Sequence, residues 1–210
     1  MSLHNYSYGG ISMSQLKLTA NSGGGTVALK GPASTTGNAA IELTVPGTGS
    51  STLATTATAG KILQVVQTVK LDTFSTSSTS DVDVTGFSVS ITPSSSSNKV
   101  LVMVNLALSS QSVFVYGILK RGSTQIGEAD AASNRLRPTF QSFNTNEGVV
   151  EHQNFTFLDS PNTTSATTYK MQIRCATAGN ATVNKSYRDS NTTDYDPRVS
   201  STITVMEVAA

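Results

Sequence analysis

The 210-residue sequence predicts an all-β protein: an extended N-terminal arm with short strands, followed by a jelly-roll-like β-sandwich. Three observations carry this expectation. Apolar residues recur at every second position in several short segments, the period of a half-buried strand. Turns rich in Ser, Asn, Gly and Pro separate these segments at intervals of about 8 to 15 residues, as in sandwiches and jelly rolls. No window sustains an amphipathic helical stripe. The nearest, IGEADAASNRL at 126–136, has helix formers without an apolar face and reads as a loop or a single turn.

Residues 1–60 have little core-forming capacity. Glycines 23–25, Pro32, Gly37-Asn38 and Pro46 punctuate two short strand candidates, 26–30 and 40–45. The glycine run lacks the following Lys-Ser/Thr of a phosphate loop and reads as a hinge. A small-residue run, GTGSSTLATTATA, then meets the apolar stretch KILQVVQTVKL at 61–71, which places the domain boundary near Gly60.

After Gly60 the strands are longer. Alternation is clear in Phe87, Val89 and Ile91, in Phe155 and Phe157, and from Tyr169 to Cys175. VLVMVNLAL at 100–108 is apolar on both faces apart from Asn105, as expected of a central strand covered on each side. Further strands are expected at 112–121, 125–129, 137–143, 181–187 and 199–208. Leu63, Val65, Val100, Val102 and Val104 are assigned to the core. The runs 75–80, 94–97 and 163–168, dominated by Ser and Thr, read as flexible surface loops.

Composition excludes more than it proposes. Charged residues are 13% of the chain, the net charge is +1, and Trp is absent. There is no basic field for nucleic acid, no stretch of ~20 apolar residues to span a bilayer, and no export signal at MSLHNYSYGG. Neither nucleic acid nor membrane is expected as a partner. The one cysteine, Cys175, falls on the apolar side of its strand and reads as a buried structural thiol.

Candidate chemistry is sparse. His4 and His152 have no second His or Cys at ligand spacing; in a three-fold oligomer, copies of His152 could meet on the axis around a metal. Asp189, Asp194 and Asp196 offer hard oxygens without EF-hand spacing and read as a solvated loop, and Asp81 and Asp83 as an outward strand face. Six N-x-S/T matches, at Asn5, Asn154, Asn162, Asn180, Asn184 and Asn191, arise readily by chance in such a composition. No catalytic residue, cofactor or metal is expected. Tyr116, Tyr187 and Tyr195 are the aromatics left for a surface contact.

Residues 26–66 carry a recognisable pattern: TVALKGPAS, a Gly-Asn turn, IELTVP, then LATTATAGK and ILQVVQ. This resembles a segment of virion structural proteins of tailed bacteriophages, especially marine and cyanobacterial phages. The Ser/Thr-rich remainder ending STITVMEVAA is similar to the compact knobs that close such fibres. The resemblance implies a non-enzymatic, homotrimeric protein on the virion surface, assembled in the host bacterial cytoplasm, either a short head or tail fibre or a capsid-decorating protein. Its N-terminal arm would attach to capsid or tail components, with Tyr6, Tyr8, Ile11, Leu16 and Leu18 as anchors, and residues 61–210 would form a knob facing solvent or a host surface glycan. The competing readings are a carbohydrate-binding or adhesion module and a β-sandwich glycan hydrolase. The lack of Trp and scarcity of Glu disfavour both.

Overall fold

The computed structural model describes the backbone of residues 15–19 and 26–30, and residues 61–210 apart from Thr193. The chain divides into two units, Met1–Leu53 and Ala54–Ala210. In the first, β1 (Gln15–Thr19) and β2 (Thr26–Lys30) pair antiparallel, with Gln15 opposite Lys30 and Thr19 opposite Thr26. The strand expected at 26–30 is β2. Leu16 and Leu18 lie on β1, where only the backbone is described. Tyr6, Tyr8, Ile11, the glycine run and the strand expected at 40–45 fall outside the described residues.

The second unit is a sandwich of two antiparallel sheets. One contains, side by side, β3 (Ile62–Lys70), β13 (Ser201–Val208), β6 (Lys99–Ser110) and β10 (Glu151–Asp159). The other runs β5 (Val82–Ile91), β11 (Thr167–Cys175) and β7 (Phe114–Arg121), with β8 (Thr124–Gln125) and β9 (Phe140–Phe143) sharing the free edge of β7. The long strands cross between the sheets as the chain proceeds, so that β3-β13-β6-β10 faces β5-β11-β7-β9. That order is the winding of a jelly roll. A short pair, β4 (Phe74–Thr76) and β12 (Ala181–Val183), extends the first sheet beside the end of β6.

Alternation decides what is buried. Val84, Phe87, Val89 and Ile91 of β5 meet Val100, Val102, Val104, Leu106 and Leu108 of β6, with Tyr169, Met171, Ile173 and Cys175 of β11 and Ile203 and Val205 of β13. Cys175 is 1% exposed, and burial pushes its thiol pKa up despite a hydrogen bond from the Ala181 backbone.

β6 is the strand on which the first sheet is built. One edge pairs with β10 from Val100 to Leu108; the other is divided between β13, opposite 99–105, and β12, opposite 108–110. Side chains close the break between them. The Ala107 amide donates to Ser201 Oγ at 2.9 Å, and that hydroxyl donates to Asn184 Oδ1 at 2.6 Å. The Asn184 amide donates to the Ala107 carbonyl at 3.1 Å, and its own carbonyl accepts from Val199 at 3.2 Å. Asn184 Nδ2 donates to the Lys70 and Asp72 carbonyls at 2.8 and 2.9 Å, tying in the β3–β4 connection. Asn184 is fully buried with φ of +62°, a conformation Asn tolerates better than most residues. Both hydrogens of its carboxamide are thus engaged within the chain.

Several expectations need correction. Leu63 and Val65 are not core: they are 47% and 56% exposed, because Gln64, Val66, Thr68 and Lys70 take the inward positions of β3. The run 75–80 is not simply a loop, since Ser75 and Thr76 belong to β4. Ser94, also assigned to a loop, is tied to Glu207 through both its amide and its hydroxyl. Thr167 and Thr168 open β11. The strand expected at 125–129 shrinks to β8, that at 137–143 to β9, and that at 181–187 stops at Val183, before left-handed Asn184.

The two outer faces differ in kind. Outward from β3, β13, β6 and β10, paired residues form three rows: Val65, Met206, Leu101 and Leu158; Gln67, Thr204, Met103 and Thr156; Val69, Thr202, Asn105 and Asn154. None is charged. On the opposite sheet Asp83, Lys120, Lys170 and Arg174 point outward, with Lys170 Nζ 2.8 Å from Asp83.

Two substitutions probe this frame. Asn184→Gly keeps the left-handed backbone but deletes three buried side-chain hydrogen bonds, and is expected to lower stability by about 2 to 4 kcal/mol in urea unfolding. A Cβ at Gly117 would lie 2.2 Å from the Phe140 ring. Gly117→Ala is therefore expected to cost about 1 to 3 kcal/mol in the same measurement, with no change predicted for Gly122→Ser beyond the strain of its positive φ.

Candidate functional site

The groove best equipped for recognition lies on the charged outer face. In β7 the odd-numbered residues Val115, Gly117 and Leu119 are buried, so Tyr116 projects outward. Arg174 of β11 stands directly opposite it in register, with its guanidinium 5.5 Å from the Tyr116 ring centroid. Asp81 orients that guanidinium from 3.6 Å. The loop after β8 supplies the rim: Arg137 Nη1 pairs with Glu128 at 2.7 Å, and Gln125 Nε2 holds the Arg137 carbonyl at 2.7 Å. Arg135 and the 54% exposed Leu136 complete a cavity of about 260 Å³.

Three arginines against two carboxylates, beside one aromatic face, suit a polyhydroxylated or anionic ligand. Tyr116, one of the three tyrosines expected at a surface contact, is half-buried and outward-facing. Tyr195, 67% exposed with Arg188 over its ring at 5.8 Å, belongs to the β12–β13 connection. Tyr187 is half-buried in that same connection, its amide donating to Ser109 Oγ at 3.1 Å. No groove in the described residues brings the three together.

Of the aspartate segment expected to be a solvated loop, Asp194 is exposed, whereas Asp189 and Asp196 belong to a hydrogen-bonded knot. Asp196, its side chain buried, accepts from Arg188 Nε at 2.9 Å and Nη2 at 3.0 Å, from Ser186 Oγ at 2.8 Å, and from the Ser190 amide and hydroxyl. Arg188, then Ser190 and Ser186, hold its carboxyl far below the usual range against the opposing effect of burial. Asp189 is lowered by Lys185, 2.9 Å away, and by Arg198. Cations of the chain itself therefore occupy the oxygens that a metal would need. Among the described residues no cluster of three or more His, Cys, Asp or Glu is placed to hold a metal. His152 lies on the uncharged outer face, its Nδ1 2.5 Å from Asn105 Oδ1.

Two more buried carboxylates escape a reading by local motif, since their partners are distant in sequence. Asp159 accepts from Arg121 Nη1 at 2.8 and 2.9 Å and from the Tyr169 hydroxyl at 2.7 Å. Burial, then this hydrogen bond, raises the Tyr169 pKa well above that of free phenol. Glu207 is ringed by donors: the Ser94 amide and hydroxyl, both at 2.7 Å, Asn98 Nδ2 at 2.6 Å and Gln64 Nε2 at 2.6 Å.

No family model and no curated protein matches the chain. Among solved structures it is similar to the infectious bursal disease virus VP2 subviral particle, at 16% identity and TM-score 0.34, covering 70% of this chain and 38% of that one. A VP2 point mutant of the same virus, in derived T=1 particles, is 16% identical with TM-score 0.36, covering 80% and 41%. The Gx strain structure is 12% identical with TM-score 0.38, covering 80% and 42%. The chain thus spans about two fifths of the length of these proteins.

Glu207 generates a pH prediction. Burial pushes its carboxyl up, but Asn98, Gln64 and Ser94 together outweigh it and hold the pKa at about 2, against an ordinary 4.5. With the folded value the lower, this carboxylate contributes stability above about pH 4.5 that is lost as pH falls toward 2. The urea midpoint of the unaltered chain is expected to fall across that window more steeply than that of Glu207→Gln. Parallel curves would show that another group titrates there.

Proposed function

We propose that the protein is a non-enzymatic structural component of a tailed-phage virion, exposed on the particle as a homotrimeric short fibre or capsid-decorating protein. Residues 1–60 would be the arm that attaches to capsid or tail components, and residues 61–210 the knob. The observation that carries the reading is the use the sandwich makes of its ionisable groups. Asp159, Asp196 and Glu207 are buried and saturated by donors of the same chain, so their lone pairs brace strands and loops. A groove built for turnover keeps such groups open to substrate. The resemblance over residues 26–66 supports the virion context, and its last motif, ILQVVQ, forms the start of β3.

Electron microscopy of particles carrying a label on this protein tests the reading. Label at regular positions on the head supports decoration, and label at the tail supports a fibre. Absence of the chain from purified particles would contradict both.

A second reading, as a glycan-binding or adhesion module, draws on the Tyr116–Arg174 pair. It predicts that the full chain binds saccharides on a glycan array and that Tyr116→Ala lowers the affinity at least about 10-fold without changing stability. Equal binding by the variant would remove the groove from consideration.

A further inference from the structure

We propose that the uncharged outer face of the β3-β13-β6-β10 sheet is the surface on which a second copy of this chain docks. The inference rests on the self-association in the reading above and on no other part of it.

β3 is polarised, Val66 and Gln67 apart: Gln64, Thr68 and Lys70 point into the sandwich, where Gln64 reaches Glu207 and Lys70 Nζ reaches the Thr85 carbonyl at 2.6 Å. Leu63, Val65 and Val69 point away and are 47%, 56% and 47% exposed. A strand whose outer side met only water would arrange these two sets the other way round.

β6 is apolar on both faces, the pattern of a strand covered on each side, yet among the described residues its outward Met103 is left exposed. Met103, in the middle of the sheet with β13 and β10 on its flanks, is 41% exposed. No further strand added at an edge can reach it.

Charge favours a second copy as the occupant. The three outward rows contain no Asp, Glu, Lys or Arg, so two copies meet without like-charge repulsion, whereas a foreign partner is selected by complementary charge. Four strands about 4.8 Å apart and the five residues spanned by the three rows, at about 3.3 Å each, give an uncharged footprint of roughly 320 Å² in projection, bordered at the start of β6 by the exposed Lys99. That is about two fifths of the ~800 Å² that each partner contributes to a stable interface.

Sedimentation of the full chain at micromolar concentration provides the test. The unaltered chain is expected to be oligomeric. Val65→Glu and Leu158→Glu, each with unchanged circular dichroism, are expected to raise the dissociation constant at least about 30-fold. Mixing Leu158→Lys with Leu158→Glu is expected to restore association. An oligomer indifferent to both glutamates overturns this inference and leaves self-association standing; a monomeric unaltered chain overturns both. Should the glutamates unfold the chain, Met103→Cys gives an independent readout, because the only native thiol, Cys175, is buried. Cross-linking between copies at position 103, and not with Ser90→Cys on the opposite outer face, supports the proposal. Equal cross-linking at both positions, or none at 103, overturns it. A monomer whose introduced thiol resists a thiol reagent also overturns it, and assigns the face to residues 1–60 of the same chain.

Discussion

The first sheet depends on one side chain. β6 has two partners on one edge, and the two approach from opposite ends, leaving a stretch of strand unpaired between them. In a buried sheet such a gap strands backbone polar groups, each costing about 1 to 3 kcal/mol if left unsatisfied. Asn184, with Ser201, fills it. The left-handed backbone at Asn184 ends β12 and turns the chain away, while the carboxamide spans from the β3–β4 connection to the start of β13. Three segments distant in sequence are therefore held at one point. The start of β13 and the end of β3 follow from it, and with them the outward row in which Val69 and Thr202 lie.

Hydroxyls and amides do comparable work elsewhere. Ser94 and Asn98 ring Glu207; Ser186 and Ser190 ring Asp196; Thr68 donates to the Ser88 carbonyl at 2.8 Å across the two sheets. A chain with few charges can bury carboxylates only by surrounding them with donors, because an uncompensated one would be protonated or excluded. The abundance of Ser and Thr is thus partly an internal bracing system, and not only a coat on the outer faces and turns.

The legible parts of the sequence were those governed by period alone. β5, β6, β11 and β13 lie where alternating or continuous apolar runs place them, and Cys175 is inside as its strand phase requires. Period does not say which side of a strand faces in. Leu63 and Val65 share a face by spacing, but whether that face is core depends on Gln64 and Lys70 finding partners within the sandwich. Ser94 and Glu207 are separated by 113 residues, so no local pattern connects them. Among the candidate contacts, the outward direction of Tyr116 and the exposure of Tyr195 were readable from strand phase and loop composition. The arginine beside each was not, since Arg174 reaches Tyr116 only through strand pairing.

The rows of the uncharged outer face stay in register only while the β6 edge stays closed. Native-state hydrogen exchange at the Asn184 and Val199 amides tests that condition most directly. If the joint holds the sheet together, both amides open only with global unfolding, at the free energy measured by urea and equal to that of the central β6 amides. Exchange at a much lower free energy, with β6 still protected, would show that the junction opens by itself and that the sheet does not depend on it.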